Sequence, residues 1–326
     1  MIVQAPRPAA RESRPRPPED DRPEPLLELS AVRKSYGRVE ALQGLSFALA
    51  AGEFVALLGP NGAGKTTMIR AIAGRVKPDA GQIRFGGRRL RPGRTRPEIG
   101  VVPQDLAVYP DLSAKENLTV FAKLHGVPSA EVAHRVQTVL DWIGLADRQH
   151  QLVGTFSGGM KRRVNIAAGV MHGPRLVLLD EPTVGVDPQS REKIFEMLAA
   201  LQRKGTTFLL TTHHIEEAEA RCDRIVIVDH GRTIASGRVP DLIRTTVGTG
   251  SQVTLRLDRP AAGPVPSVPL LADNQTVSAR LQEVARDLPR LLHHLQTHGY
   301  DVTDLHVRPP TLQSVFLHLT GRELRE

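Results

Sequence analysis

The chain has 326 residues, 40% of them apolar and 24% charged, which is enough for two ordinary folding units and too apolar for a wholly disordered chain. Its single cysteine, Cys222, cannot close an internal disulfide, so a disulfide-stapled secreted scaffold is excluded and a reducing cytosol is expected. Lys+Arg number 43 against 35 Asp+Glu, and the resulting +8 reads as a solvated basic surface, with much of the arginine in the first tail and in residues 84–96.

No apolar run approaches the ~20 residues of a membrane helix. Residues 1–22 also lack the apolar centre of a signal peptide, so the chain is expected to stay in the cytoplasm. Residues 1–24, rich in Pro, Arg and Glu, have almost nothing to bury and read as a disordered extension.

From Leu26 the residues alternate as in a strand (Leu27, Leu29, Ala31), and a second strand candidate ends at Phe47. Phe54–Leu58 is wholly apolar, the pattern of a strand buried on both faces. A glycine-rich turn follows, then a helical stretch over 68–73 that stops at Gly74. Residues 82–85, Gly86-Gly87 and residues 88–90 predict a hairpin, because paired glycines permit the positive φ of a tight turn. Ile99–Val102 predicts another short strand.

The pattern then turns helical. Ser113 and Glu116 have the spacing of a capping box. Ser129 is expected to cap the next helix, whose apolar stripe is Val132, Val136, Val139, Leu140 and Ile143. Residues 176–179 and Thr207–Thr212 predict core strands. Helices are expected over 189–204 and Ile215–Arg221, and a hairpin turns at His230-Gly231. Strands alternating with helices imply a mainly parallel α/β sheet. After about Thr246 the character changes. Residues 253–257 alternate like an edge strand, 260–269 form a proline-rich loop, 288–297 and 312–319 read as helices, and 302–307 as a strand.

Gly59, Pro60, Asn61, Gly62, Ala63, Gly64, Lys65, Thr66 and Thr67 fit the pattern G-x-x-x-x-G-K-[ST] between a buried strand and a helix. Glycines let backbone N–H groups converge on an anion, and the helix N-terminus adds donors and a positive dipole end. Lys65 is expected to bridge the β- and γ-phosphates, and Thr66 to offer its hydroxyl to Mg²⁺. This much says only nucleoside triphosphate: kinases, GTPases, helicases and transporters all use such a loop. Further on, an apolar strand ends in Asp180 and Glu181, at the edge where parallel sheets bind ligands. Asp180 suits Mg²⁺, and Glu181 is placed to act as general base toward water.

Thr155-Phe156-Ser157-Gly158-Gly159-Met160-Lys161-Arg162-Arg163 resembles the LSGGQ signature of ABC ATPases, with Phe156 and Met160 in place of the commonest Leu and Gln. Ser157 caps a helix there, and Gly158 and Gly159 bare its N–H groups, making a second anion-binding helix end. In that family this end meets the γ-phosphate held by the opposite subunit, so the resemblance implies a homodimer or a paired ATPase subunit. With Met160 in place of Gln, the site rests on Ser157 and backbone N–H groups.

The resemblance runs from Leu26 to about Asp241 and carries further roles. Tyr36 matches the aromatic that stacks on adenine, and Gln104 the Q-loop glutamine, a Mg²⁺ contact at the hinge to the helical insert. Asp187 matches the D-loop aspartate at the dimer interface. His213, taken over His214 by register, matches the switch histidine.

The motifs around 180–188 and 311–322 are similar to those of drug- and antibiotic-efflux ATPases. The implied fold is α/β: a P-loop ABC ATPase core with an antiparallel β subdomain and a helical insert, plus a small C-terminal α+β domain. The expected boundaries are 25–245, with the insert at about 105–170, and 246–326. The implied cofactors are ATP and Mg²⁺. The implied partner is a separate multi-span permease on the cytoplasmic face of the membrane. A ribosome- or nucleic-acid-directed ABC ATPase is the alternative that +8 favours. Such translation proteins usually carry two ATPase units and the DNA-repair types a long coiled coil, so no nucleic acid is expected.

Overall fold

The computed structural model describes residues 24–93, 96–261 and 273–321. The expected N-terminal extension, but for its last residue, and most of the proline-rich loop at 260–269 lie outside the described residues.

The first half of the chain holds β1 (Leu27–Tyr36), β2 (Val39–Leu49), β3 (Phe54–Leu58), α1 (Lys65–Ile72), β4 (Ala80–Phe85), β5 (Arg88–Arg89) and β6 (Ile99–Val102). Next come the helices α2 (Ala114–Leu124), α3 (Ser129–Trp142) and α4 (Gly158–Val170). They are followed by β7 (Leu176–Asp180), α5 (Pro188–Gln202), β8 (Thr207–Thr212), α6 (Ile215–Arg221), β9 (Arg224–Asp229), β10 (Arg232–Gly237) and α7 (Val239–Thr246). The last elements are β11 (Ser251–Leu257), β12 (Thr276–Leu281), α8 (Val284–Thr297), β13 (Val302–Arg308) and α9 (Leu312–Thr320).

The central sheet runs β10-β9-β3-β8-β7-β6, parallel except for the β9–β10 hairpin. β3, β7 and β8 are buried along their whole length, and accordingly their positions are apolar or threonine up to Asp180 at the end of β7. An antiparallel sheet, β2-β1-β4-β5, lies over one side and closes a core with α1. The other side packs on α4 and α5, where the Phe54 and Phe208 rings meet at 5.0 Å. Each such side chain withdrawn from water contributes ~1.5–3 kcal/mol, so this sheet dominates the stability of the core.

The helical stretch between β6 and β7 has a core of its own, including the expected stripe of Val132, Val136, Val139, Leu140 and Ile143. The capping box is formed: Glu116 N–H donates to the Ser113 hydroxyl at 3.2 Å, and Ser113 N–H to the Glu116 carboxylate at 2.8 Å. Ser129 is not the cap of α3. Pro128 occupies that position and Ser129 is already helical, so its hydroxyl has no capping geometry.

Residues 253–257 are not at an edge: β11 is the middle strand of an antiparallel sheet ordered β12-β11-β13. The neighbour β12 was not singled out in the sequence, although Val277, Ala279 and Leu281 alternate there with Thr276, Ser278 and Arg280. α8 begins at Val284, before the expected 288. Pro289 marks a helix start by its missing N–H, yet here it is accommodated inside the helix, whose entry is held by Glu283 N–H donating to Asp287 at 3.1 Å. This sheet and α8 share one apolar cluster, whereas α9 leaves them and packs Leu312, Val315 and Phe316 against α6, α7 and the β3–β9 face. No helix among the described residues is long and apolar enough to cross a membrane.

Candidate functional site

From Leu58 the chain passes through Gly59, Pro60, Asn61, Gly62, Ala63 and Gly64 into α1, which opens with Lys65, Thr66 and Thr67. Glycine is required twice. Gly64 sits at φ +97, and a Cβ there would run into the Ala41 carbonyl; a Cβ on Gly59 would strike the Val228 carbonyl. No side chain caps α1, which leaves its leading N–H groups to an anion. Lys65 is buried, and its ammonium donates to the carbonyls of Gly59 at 2.8 Å and Pro60 at 3.2 Å. Burial lowers its pKa from the usual lysine range, and the nearby Glu181 opposes that shift.

β7 ends at Asp180, whose carboxylate accepts the Thr211 hydroxyl at 2.6 Å and the Thr66 hydroxyl at 3.4 Å. Glu181 follows at φ +46, a left-handed conformation that costs a residue with a Cβ about 1–3 kcal/mol. It is held there by its N–H, which donates to the Thr211 carbonyl and hydroxyl, each at 3.1 Å. The kink turns the carboxylate back over the loop, 3.5 Å from the Lys65 ammonium and 3.3 Å from His213 Nδ1. That ring nitrogen is buried and within ion-pair reach of Glu181, but it is not aligned for a hydrogen bond. The His214 ring lies beside it at 4.2 Å.

Gln104 is exposed at the end of β6 and, with Thr66 and Asp180, lines a cavity of about 110 Å³. With Asp105, which lines it too, four oxygen-bearing side chains thus surround one small space. The structure therefore brings together Lys65, Thr66, Gln104, Asp180, Glu181 and His213.

Ser157 caps α4, accepting the Met160 N–H at 3.3 Å. Gly159 is pressed against the start of α5, where a Cβ would collide with the Ser190 hydroxyl. Asp187 caps α5 by accepting the Ser190 N–H at 2.9 Å, which holds its carboxyl below the usual range. Tyr36 ends β1, 46% exposed, with the Lys34 ammonium 5.5 Å from its ring centre. No hydrogen bond or ion pair among the described residues joins Tyr36, Ser157, Gly158 or Gly159 to the phosphate loop.

Three residues at the site were not singled out in the sequence. Thr211 was hidden because its partner Asp180 is known only from the β7–β8 register. Glu217 on α6 is buried, accepts the Thr183 hydroxyl at 2.8 Å and pairs with Arg191 at 3.2 Å, tying the loop after Glu181 to the helix after His213. Arg162 on α4 is buried in a run, Lys161-Arg162-Arg163, that reads as surface charge. The available signal was helical spacing, since Arg162 stands three residues after the buried Gly159 and four before the buried Ile166.

The sequence model of the family described as "ABC transporter" matches residues 42–184. The linearmycin resistance ATP-binding protein LnrL of Bacillus subtilis (strain 168) is 39% identical over 312 residues, 92% of this chain and 100% of that protein. The Nod factor export ATP-binding protein I of Paraburkholderia xenovorans (strain LB400) is 40% identical over 321 residues, 93% of this chain and 100% of that protein. Among solved structures, the dimeric post-hydrolysis state of the ATP-binding cassette MJ0796 bound to ADP and phosphate has a TM-score of 0.59 at 27% identity. It covers 65% of this chain and 98% of that one.

Proposed function

The chain belongs to the ABC transporter family as the ATP-binding, ATP-hydrolysing subunit of an exporter, and from that premise we propose how its residues run the cycle and what it serves. One observation carries the reading: the Glu181 carboxylate lies within 3.5 Å of both the Lys65 ammonium and the His213 ring at the mouth of the phosphate loop, beside the Thr66–Asp180 pair.

Tyr36 stacks on the adenine, a contact worth roughly 1–3 kcal/mol for a base on an aromatic ring. Gly59 to Thr67 wrap the phosphates. Lys65 exchanges its carbonyl partners for phosphate oxygens, which relieves a buried ammonium held only by neutral groups and one carboxylate. The hydroxyl of Thr66, the carboxylate of Asp180 and the amide of Gln104 form a hard-oxygen donor set around one small cavity, and they fit Mg²⁺. Held by these side chains, the ion would supply neutralisation of the phosphate charge.

Glu181 takes a proton from water, the water oxygen bonds to the γ-phosphorus, and the bond to the β-phosphate oxygen breaks to leave ADP and phosphate. His213 orients that assembly from the other side of Glu181. Two copies, or one copy and a paired ATPase, each supply Ser157, Gly158 and Gly159 to the other's γ-phosphate, with Asp187 at the seam. The dimeric cassette among the structural relatives supports this arrangement. The ATPase pair docks on a separate multi-span permease at the cytoplasmic face of the membrane. A drug, antibiotic or lipid-like compound is the proposed cargo; the relatives' names, linearmycin resistance and Nod factor export, support export.

The test is a purified Glu181→Gln protein. ATP binding is retained, turnover is lost and a dimer accumulates at saturating ATP. Wild-type turnover in that variant, or a strictly monomeric protein with ATP bound, overturns the reading.

A further inference from the structure

Arg162 stands on α4, five residues after the cap Ser157, and is 3% exposed. Among the described residues its guanidinium makes no ion pair, although the charges of Asp180 and Asp105 favour its protonated form, and its hydrogen bonds all go to backbone carbonyls. Nε–H donates to the Pro182 carbonyl. One terminal nitrogen donates to the carbonyls of Pro103 at 3.0 Å and Gln104 at 2.7 Å, and the other to the Glu181 carbonyl at 2.6 Å. Four acceptors thus face a fork that has five N–H donors in a fixed plane.

A buried cation is costly, and an apolar side chain of similar volume would fill the same space without that cost. Burial lowers the Arg162 pKa to about 10, so the charge persists at neutral pH. The carbonyls it holds come from just two segments. One carries Gln104, and the other carries Glu181 at its strained φ of +46. Three separate pieces of the fold therefore meet on one rigid plane: the helix headed by Ser157, the end of β6 and the end of β7.

We propose that Arg162 is a positioning residue that locks the backbones of Gln104 and Glu181 to each other and to the Ser157-capped helix. A displacement of that helix's N-terminus by γ-phosphate then reaches both hydrolytic side chains together. The inference rests on the assignment of Glu181 as the base. It concerns turnover rather than nucleotide capture, because Arg162 donates to no group of the phosphate loop.

The experiment compares the full chain with R162K, R162Q, Q104A, the R162Q/Q104A pair and E181Q. It measures thermal melting, titration with a fluorescent ATP analogue, and kcat and KM. R162Q is expected to lose about 10²-fold in kcat, the scale of a misplacement near 1 Å, with nucleotide affinity held within about twofold. R162K keeps the charge but not the planar fork, so it recovers only part of the loss. The pair with Q104A loses no more than the worse single variant, because both act through one segment. The proposal is overturned by R162Q turning over at the wild-type rate, by a parallel loss of affinity, by losses that multiply in the pair, or by both Arg162 variants unfolding. If E181Q itself stays active, the base assignment has failed; if E181Q is dead while R162Q is fully active, only the role of Arg162 has failed.

Discussion

His213 Nδ1 lies 3.3 Å from a carboxylate oxygen of Glu181, although the two residues come from different strands of the central sheet. Glu181 follows β7 and His213 follows β8, and the Asp180–Thr211 register sets the ends of the two strands side by side. The contact is not an aligned hydrogen bond and leaves that buried nitrogen without a hydrogen-bond partner among the described residues, so the imidazole is not committed to Glu181 and can serve a third group. In the proposed cycle that third group is a γ-phosphate oxygen.

Replacing His213 by Ala removes that third contact and leaves the phosphate loop intact. The expected outcome is a fall in kcat of about 10²-fold, the lower range for a group that assists proton and charge movement, with KM little changed. Steady-state ATP hydrolysis measures it. If kcat holds for His213→Ala and falls for His214→Ala, the two neighbours must exchange roles.

Lys65→Ala removes the one buried ammonium in the loop and leaves the buried Glu181 carboxylate beside His213. Nucleotide affinity should weaken about 10–100-fold, the equivalent of a charge-assisted hydrogen bond worth roughly 1.5–3 kcal/mol. Titration with a fluorescent ATP analogue reads this directly. Unchanged affinity would separate Lys65 from phosphate binding.

Phe316 on α9 is fully buried against the β3–β9 face, far along the chain from its partners Ala56, Leu58 and Ile225. Phe316→Ala should lower the unfolding free energy by about 3–5 kcal/mol, as for other large-to-small core substitutions. Urea unfolding followed by circular dichroism tests it. A loss confined to a separate C-terminal transition would mean that α9 stabilises only β11, β12, β13 and α8.

His172 follows α4, and its ring stacks at 4.2 Å on His125 at the end of α2. Burial, together with the neighbouring His125, lowers the His172 pKa from 6.5 to about 4. Burial likewise lowers that of His125. Unfolding therefore takes up protons between these values, and the stability these rings contribute is complete above about 6.5 and lost as pH falls toward 4. Urea midpoints at pH 7.5 and pH 5 should differ less in His172→Phe, which keeps the stack and cannot titrate, than in the wild type. An equal acid loss in both would assign the effect to other groups.

The sequence alone determined whatever depends on local chemistry. Gly59 to Thr67 are readable because a phosphate cradle needs missing side chains, a lysine and hydroxyls within one turn. β3 is readable because a strand covered on both faces is apolar throughout, and β8 by its apolar centre at residues 208–210 between threonines. The Ser157 cap and the Ser113–Glu116 box are three-residue relationships that hold wherever the helix sits. Tertiary structure alone decided which distant pieces meet. It put the Thr211 hydroxyl on Asp180, made β11 a middle strand, gathered four carbonyls around Arg162 and carried α9 back to the main core. A sequence lists residues in order along one line. Their burial depends on which faces pack together, and a charged side chain such as that of Arg162 looks like surface until the carbonyls that solvate it are brought from other segments.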